Sequence, residues 1–170
     1  MIEILIQNPG RIKKALTLIK NKTKIKLKLE KNKILLEGKD SDEFIIDQII
    51  RAVDFGFETE DAILLLNPDF VLEFINIKGY TRRKNLRDVR ARIIGVGGKA
   101  KRTIETLTGA AIIINNNRIG VIVNAEHLRT TINAIQSLIQ GAKHANVFAY
   151  LEKQNAKLKK IDEEDLGLRE

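Results

Sequence analysis

Apolar residues recur at helical spacing in two segments that end alike. In residues 40–55, DSDEFIIDQIIRAVDF, the residues Phe44, Ile45, Ile49, Ile50 and Val53 share a face. Asp40 is the expected cap, Glu43 follows three positions on, and Gly56 ends the run. In residues 125–140, Leu128, Ile132, Ile135, Leu138 and Ile139 share a face and Gly141 stops it. Each long helix follows a strand pair. Ile25, Leu27 and Leu29 alternate with lysines, as a half-buried strand does, while residues 111–114 are continuously apolar. Turns at 30–33 and 115–118 lead to return strands at 34–36 and 119–123.

These segments are two copies of one unit. IQNPGRIKKALTLIKNKTKIKLKLEKNKILL parallels IGVGGKAKRTIETLTGAAIIINNNRIGVIV at an offset of 88, which sets Gly10 on Gly98, Leu16 on Ile104 and Ile19 on Leu107. It also sets Asn21 on Gly109, and Asn tolerates the left-handed conformation of a helix C-cap. The copies differ at their starts. A helix over 85–94 and a strand over 70–77 precede the second loop, whereas nine residues precede Gly10, too few for both. The first copy is therefore expected to lack its N-terminal strand, through a shortened sheet or a gene start placed too late. Thr59 is the expected cap of a short helix ending near Leu66, before a turn at Asn67-Pro68. A final helix is expected over 145–160, then a frayed acidic tail.

Charge sharpens the division. Residues 11–33 hold ten Lys/Arg against Glu30; residues 34–80 hold eleven acids against three bases; residues 81–102 hold nine bases against Asp88. Two basic blocks on either side of an acidic one suggest a polyanion facing two particular segments. The chain has no cysteine, which excludes disulfides and thiolate metal sites, and no apolar run long enough to span a bilayer. A cytoplasmic protein that engages no membrane is expected.

The stretch IIGVGGKAKRTI concentrates the chemistry. A Walker loop needs Ser or Thr after Gly-Lys, but Gly98-Lys99 is followed by Ala100; a dinucleotide loop needs a third glycine where Ala100 stands. A helix, a GxxG turn and a second helix remain. Gly95 and Gly98 let the backbone approach a ligand backbone, the amides near Lys99 can face a phosphate, and Lys99, Lys101 and Arg102 add charge.

The order strand, helix, GxxG, helix, two strands, helix resembles a type I KH domain, and RIIGVGGKAKRTIETLTGAAIII resembles that family's signature. The resemblance implies a loop that clamps the backbone of about four single-stranded nucleotides. It makes Arg92, Ile94, Gly95, Val96, Gly97, Gly98, Lys99, Lys101, Arg102, Ile112, Ile113 and Ile114 candidate RNA-binding residues. RAVDFGFETEDAILLL, DFVLEFINIKGYT and GAKHANVFAYLEK extend the resemblance, over roughly residues 4–160, to the archaeal and eukaryotic two-KH proteins of small-subunit ribosome assembly, the partner-of-Nob and Krr group. Implied partners are the 3′ region of small-subunit ribosomal RNA, the Nob endonuclease and the alpha subunit of translation initiation factor two.

The expected fold is thus α+β, two tandem type I KH-like modules, the first with a degenerate loop and shortened N-terminus. Its parts are a degenerate module at 1–57, a connecting helix and turn at 58–69, a KH domain with C-terminal helix at 70–160, and an acidic tail at 161–170. In the first loop, Gln7-Asn8-Pro9-Gly10, one glycine is lost and proline removes a donor, so RNA clamping there is not expected. No catalytic constellation, cofactor or metal site is expected: His127 and His144 lack a nearby nucleophile, and Glu58, Glu60 and Asp61 coincide with an acidic helix start. A protein adaptor of KH architecture, or a general single-strand binder unconnected with ribosomes, are the alternatives.

Overall fold

Ile-Glu-Ile-Leu at positions 2–5 alternates as a half-buried strand should, and in the computed structural model, which describes residues 1–166, it forms β1 (Ile2–Leu5). Then come α1 (Pro9–Lys22), β2 (Lys26–Glu30), β3 (Lys33–Glu37) and α2 (Asp40–Phe55). Both β1 and β2 pair antiparallel with β3, giving the order β1-β3-β2. This corrects the expectation of a missing strand. The first copy keeps the strand and lacks the helix that separates strand from loop in the second. Four residues suffice for β1, and residues 6–8 lead straight into α1, whose first residue is Pro9, where a missing N–H costs nothing.

Two caps also differ from expectation. Asn21 lies inside α1, which ends at Thr23 in extended conformation, its hydroxyl donating to the Ile19 carbonyl at 2.8 Å. Lys39 caps α2, so Asp40 is the first helical residue; Glu43 is buried and accepts from the Gly38 amide at 2.9 Å.

After the short α3 (Thr59–Ala62), the second copy comprises β4 (Phe70–Asn76), α4 (Leu86–Ile94), α5 (Lys99–Thr108), β5 (Ala111–Asn115), β6 (Arg118–Asn124) and α6 (Ala125–Ile139). Its sheet has the order β4-β6-β5, all antiparallel, with β5 at an edge. A last helix, α7 (His144–Asp165), runs five residues past its expected end; residues 167–170 of the acidic tail lie outside the described residues.

The central strand β6 joins the two halves. Ile119, Val121 and Val123 enter the core formed with α4, α5, α6 and α7, while Ile122 enters the core of the first copy. A strand buried on both faces reads as a continuous apolar run, which is what IGVIV is. Gly120 sits on the face toward the first copy, where Phe55 and Phe57 lie so close that an added Cβ would stand 2.9 and 2.7 Å from their rings. The glycine is thus the hole into which the aromatic end of α2 fits.

Gly120→Ala is expected to lower stability by about 1–3 kcal/mol, the range for overpacking a core. Gly10→Ala, in α1 with no atom within 4 Å of the new methyl, should leave stability unchanged or raise it by up to about 1 kcal/mol. Urea denaturation of the two variants checks the contrast.

Candidate nucleic-acid interface

The glycines between α4 and α5 have separate tasks. Gly95 ends α4 at φ 75°, its amide donating to the Ala91 carbonyl at 2.8 Å, and a Cβ there would lie 2.6 Å from that of Ala100. Gly97 and Gly98 also take positive φ, 59° and 76°, and Gly98 donates back to the Gly95 carbonyl at 3.1 Å. Space around Gly97 is open and Val96 is 94% exposed. Gly95 therefore closes the turn sterically, while Val96 and Gly97 form its outward tip. The helix behind the tip carries no side-chain cap. The Lys99 amide donates to the Val96 carbonyl, and the positive end of the helix faces the tip.

The structure gathers some candidate residues and scatters others. Ile94 is 37% exposed beside the loop, and Lys99 and Arg102 are exposed on α5. Lys101 is half-buried and its ammonium pairs with Glu105 at 3.0 Å. Glu105 also accepts the amide of Ile112 on the edge strand at 3.0 Å, tying α5 to β5. Four of the candidate residues are engaged elsewhere than expected. Arg92 points away from the loop, and its guanidinium donates to the carbonyls of Gly141 and Ala142, between α6 and α7. The Ile112 side chain is 1% exposed in the core. Ile113 packs against the first copy's core, on the opposite face of the sheet, and Ile114 packs beside the second core. Alternation along a strand covered on both sides buries side chains that a one-faced reading leaves open.

In the first copy the equivalent loop is closed from within. The Asp54 carboxylate accepts the Gln7 amide at 2.9 and 3.0 Å and the Asn8 amide at 2.7 Å, and Asn8 Nδ2 donates to the Asp54 carbonyl at 3.0 Å. Arg11 fastens α1 to the end of α2 through the carbonyls of Gly56 and Phe57, at 2.9 and 3.1 Å. Neither residue was singled out from the sequence. A signal existed for Asp54: an acid in the last turn of a helix opposes the macrodipole, so its charge needs another partner.

Acidic side chains border the α5 side. Burial holds the Asp61 carboxyl above its ordinary range, the nearby Glu105, Glu60 and Glu58 carboxylates add to this, and Lys101 opposes it. Among the described residues no group of three or more Asp, Glu or His side chains could hold a metal ion, and no helix is long and apolar enough to cross a membrane. His144 contacts the Arg92 carbonyl through Nε2 at 2.8 Å, and His127 lies within α6.

Residues 71–156 match the eukaryotic type KH-domain (KH-domain type I), in the form of the second such domain of PNO1. A KH domain-containing protein of Methanocaldococcus jannaschii is 30% identical over 166 residues, covering 94% of this chain and 72% of that protein. The pre-rRNA-processing protein PNO1 of Debaryomyces hansenii is 30% identical over 148 residues; the match covers 83% of this chain and 54% of the yeast protein, about half its length. A crystal structure from Pyrococcus horikoshii of an a/eIF2alpha–aDim2p–rRNA complex contains a chain that superimposes with a TM-score of 0.80. The two are 25% identical, and the superposition covers 92% of this chain and 94% of that one.

Gly95→Ala introduces both a clash and left-handed strain, whereas Gly97→Ala introduces strain alone, about 1–2 kcal/mol. Thermal denaturation should show the larger loss for Gly95→Ala. Equal losses would mean that Ala100 does not close the turn.

Proposed function

We propose that this chain, which belongs to the PNO1 family of type I KH proteins, is an RNA-binding factor of pre-rRNA processing whose second module grips single-stranded small-subunit ribosomal RNA near its 3′ end. The observation that carries this is the contrast between the loops. The tip at Val96 and Gly97 stands open before an uncapped helix with Lys99 and Arg102 exposed, while the Asn8 amide, which matches that of Val96, is taken by Asp54. The grip uses the loop residues Ile94 to Lys99 with Arg102; Lys101 contributes charge shared with Glu105. Recognition by a backbone clamp needs positive charge and close approach, and both are present here.

The division into a first module at 1–57, a connector at 58–69 and a second module at 70–160 is part of the same reading. The two separate sheets and the chain segment between Phe57 and Phe70 support it. The rRNA and a/eIF2alpha in the Pyrococcus complex support ribosomal RNA and the alpha subunit of translation initiation factor two as partners. The Nob endonuclease is a partner on family resemblance alone. The protein acts by binding rather than catalysis, in the cytoplasm.

Val96→Asp with Gly97→Asp puts carboxylates where phosphates would lie, at two positions with room for them. The double variant should stay folded, its melting temperature falling by no more than about 8 °C through strain at position 97, and lose at least roughly tenfold in affinity for single-stranded RNA. Wild-type binding should weaken with salt at a log–log slope near −0.7 per phosphate neutralised. Crosslinking in cells should recover the small-subunit 3′ end from the wild type and not from the variant. Unchanged affinity in a folded variant, or a broad transcript profile, would contradict the reading.

A further inference from the structure

Where the edge strand β5 ends, a second concavity begins. The β5–β6 turn, residues 115–118, is also one wall of a groove of about 570 Å³ between the two sheets, whose other walls include Gln7, Asp54, Phe55 and Phe74. Most of its charged groups are already satisfied. Asp54 is spent on the Gln7 and Asn8 amides, and the Arg51 guanidinium bonds Asp47 at 2.7 Å. Arg118 is the exception. It is exposed, and its guanidinium carbon sits over the Phe74 ring at 4.5 Å from the centroid and 5.6 Å from that of Phe55. The two rings meet edge to face, centroids 4.9 Å apart. Among the described residues neither a carboxylate nor a carbonyl pairs with this guanidinium.

The turn itself is braced. Asn115 Nδ2 donates to the Phe55 carbonyl at 3.0 Å, Asn117 Oδ1 accepts from Arg90 at 2.8 Å, and the Asn117 carbonyl accepts the Ile77 amide at 2.8 Å. Asn116 stands at the tip with φ 52°, exposed, its carboxamide unused. A guanidinium held on an aromatic ring, with its outer side open, and a free carboxamide beside it are the groups that stack on and hydrogen-bond unpaired bases. They lie at the end of the strand that walls the RNA groove.

We propose that this groove is a second nucleobase site, in which Arg118 on Phe74 stacks a base of the single strand after it leaves the clamp, with Asn116 bonding the base edge. The proposal rests on the clamp reading given above. It fits RNA better than an acidic protein segment, which would need a cationic pair or patch, whereas Arg118 is a single charge held over aromatic rings.

The test compares a single-stranded tetranucleotide with the same sequence extended by two nucleotides at either end, by fluorescence anisotropy. One extension should tighten wild-type binding by roughly tenfold, the worth of one stacked base. Arg118→Ala should abolish that gain while leaving tetranucleotide affinity within about twofold. Arg118→Lys should not restore it, because an ammonium has no plane to stack. Asn116→Ala should reduce the gain in part. Tetranucleotide binding with no gain from either extension would overturn this inference alone, as would an Arg118→Ala loss equal for both lengths, the signature of diffuse charge. Absence of tetranucleotide binding would overturn the clamp and this inference with it.

Discussion

A helix that begins directly after a tight turn presents N–H groups that no residue of the helix can accept, and each must find an acceptor elsewhere. In this protein the source of that acceptor separates the two halves. At the first loop it is internal: the Asp54 carboxylate takes two backbone amides just ahead of α1, and Pro9 removes a third donor. At the second loop the position corresponding to Asp54 by the spacing of the helix-ending glycines is Ile139, which is buried and offers nothing. The loop there is left open toward solvent. One loop is tied by a carboxylate of its own half, and the tip of the other stands open.

The rest of the architecture holds these two loops in place. In each half an arginine grips the two carbonyls that follow the long helix: Arg11 on Gly56 and Phe57, Arg92 on Gly141 and Ala142. The arginine comes from after the loop in the first half and from before it in the second. The first half has no helix before its loop to supply one. The halves are then locked by β6, buried on both faces, with Gly120 admitting the rings of Phe55 and Phe57. Phe55 thereby serves twice, since it also supports Arg118 beside the β5–β6 turn.

Much of this was legible in the residues. Long helices of regular period, glycines that stop them and a GxxG between helices are local features, and local features survive reading without a partner strand. What was missed depended on distant pairing. β1 is four residues long, and its identity rests on β3 beside it. Assigning Asn21 as a cap assumed that both copies end their helix alike, but Thr23 supplies a hydroxyl that Gly109 cannot. Arg92, Ile112 and Ile113 were set in the groove because the sequence does not say that the second sheet carries a core on each face. Gly120 was a readable sign, since an isolated glycine in an apolar strand marks close approach by another group.

The central claim is that the two loops, which occupy matching places in the two halves, differ in whether their outward amides are open to RNA. A ¹⁵N-resolved NMR titration with a single-stranded RNA reports on both loops in one experiment. The account predicts that the amides of Val96 and Gly97, which no backbone carbonyl takes, shift with added RNA while those of Gln7 and Asn8 stay where Asp54 holds them. Shifts at Gln7 and Asn8 equal to or larger than those at the second loop would contradict it.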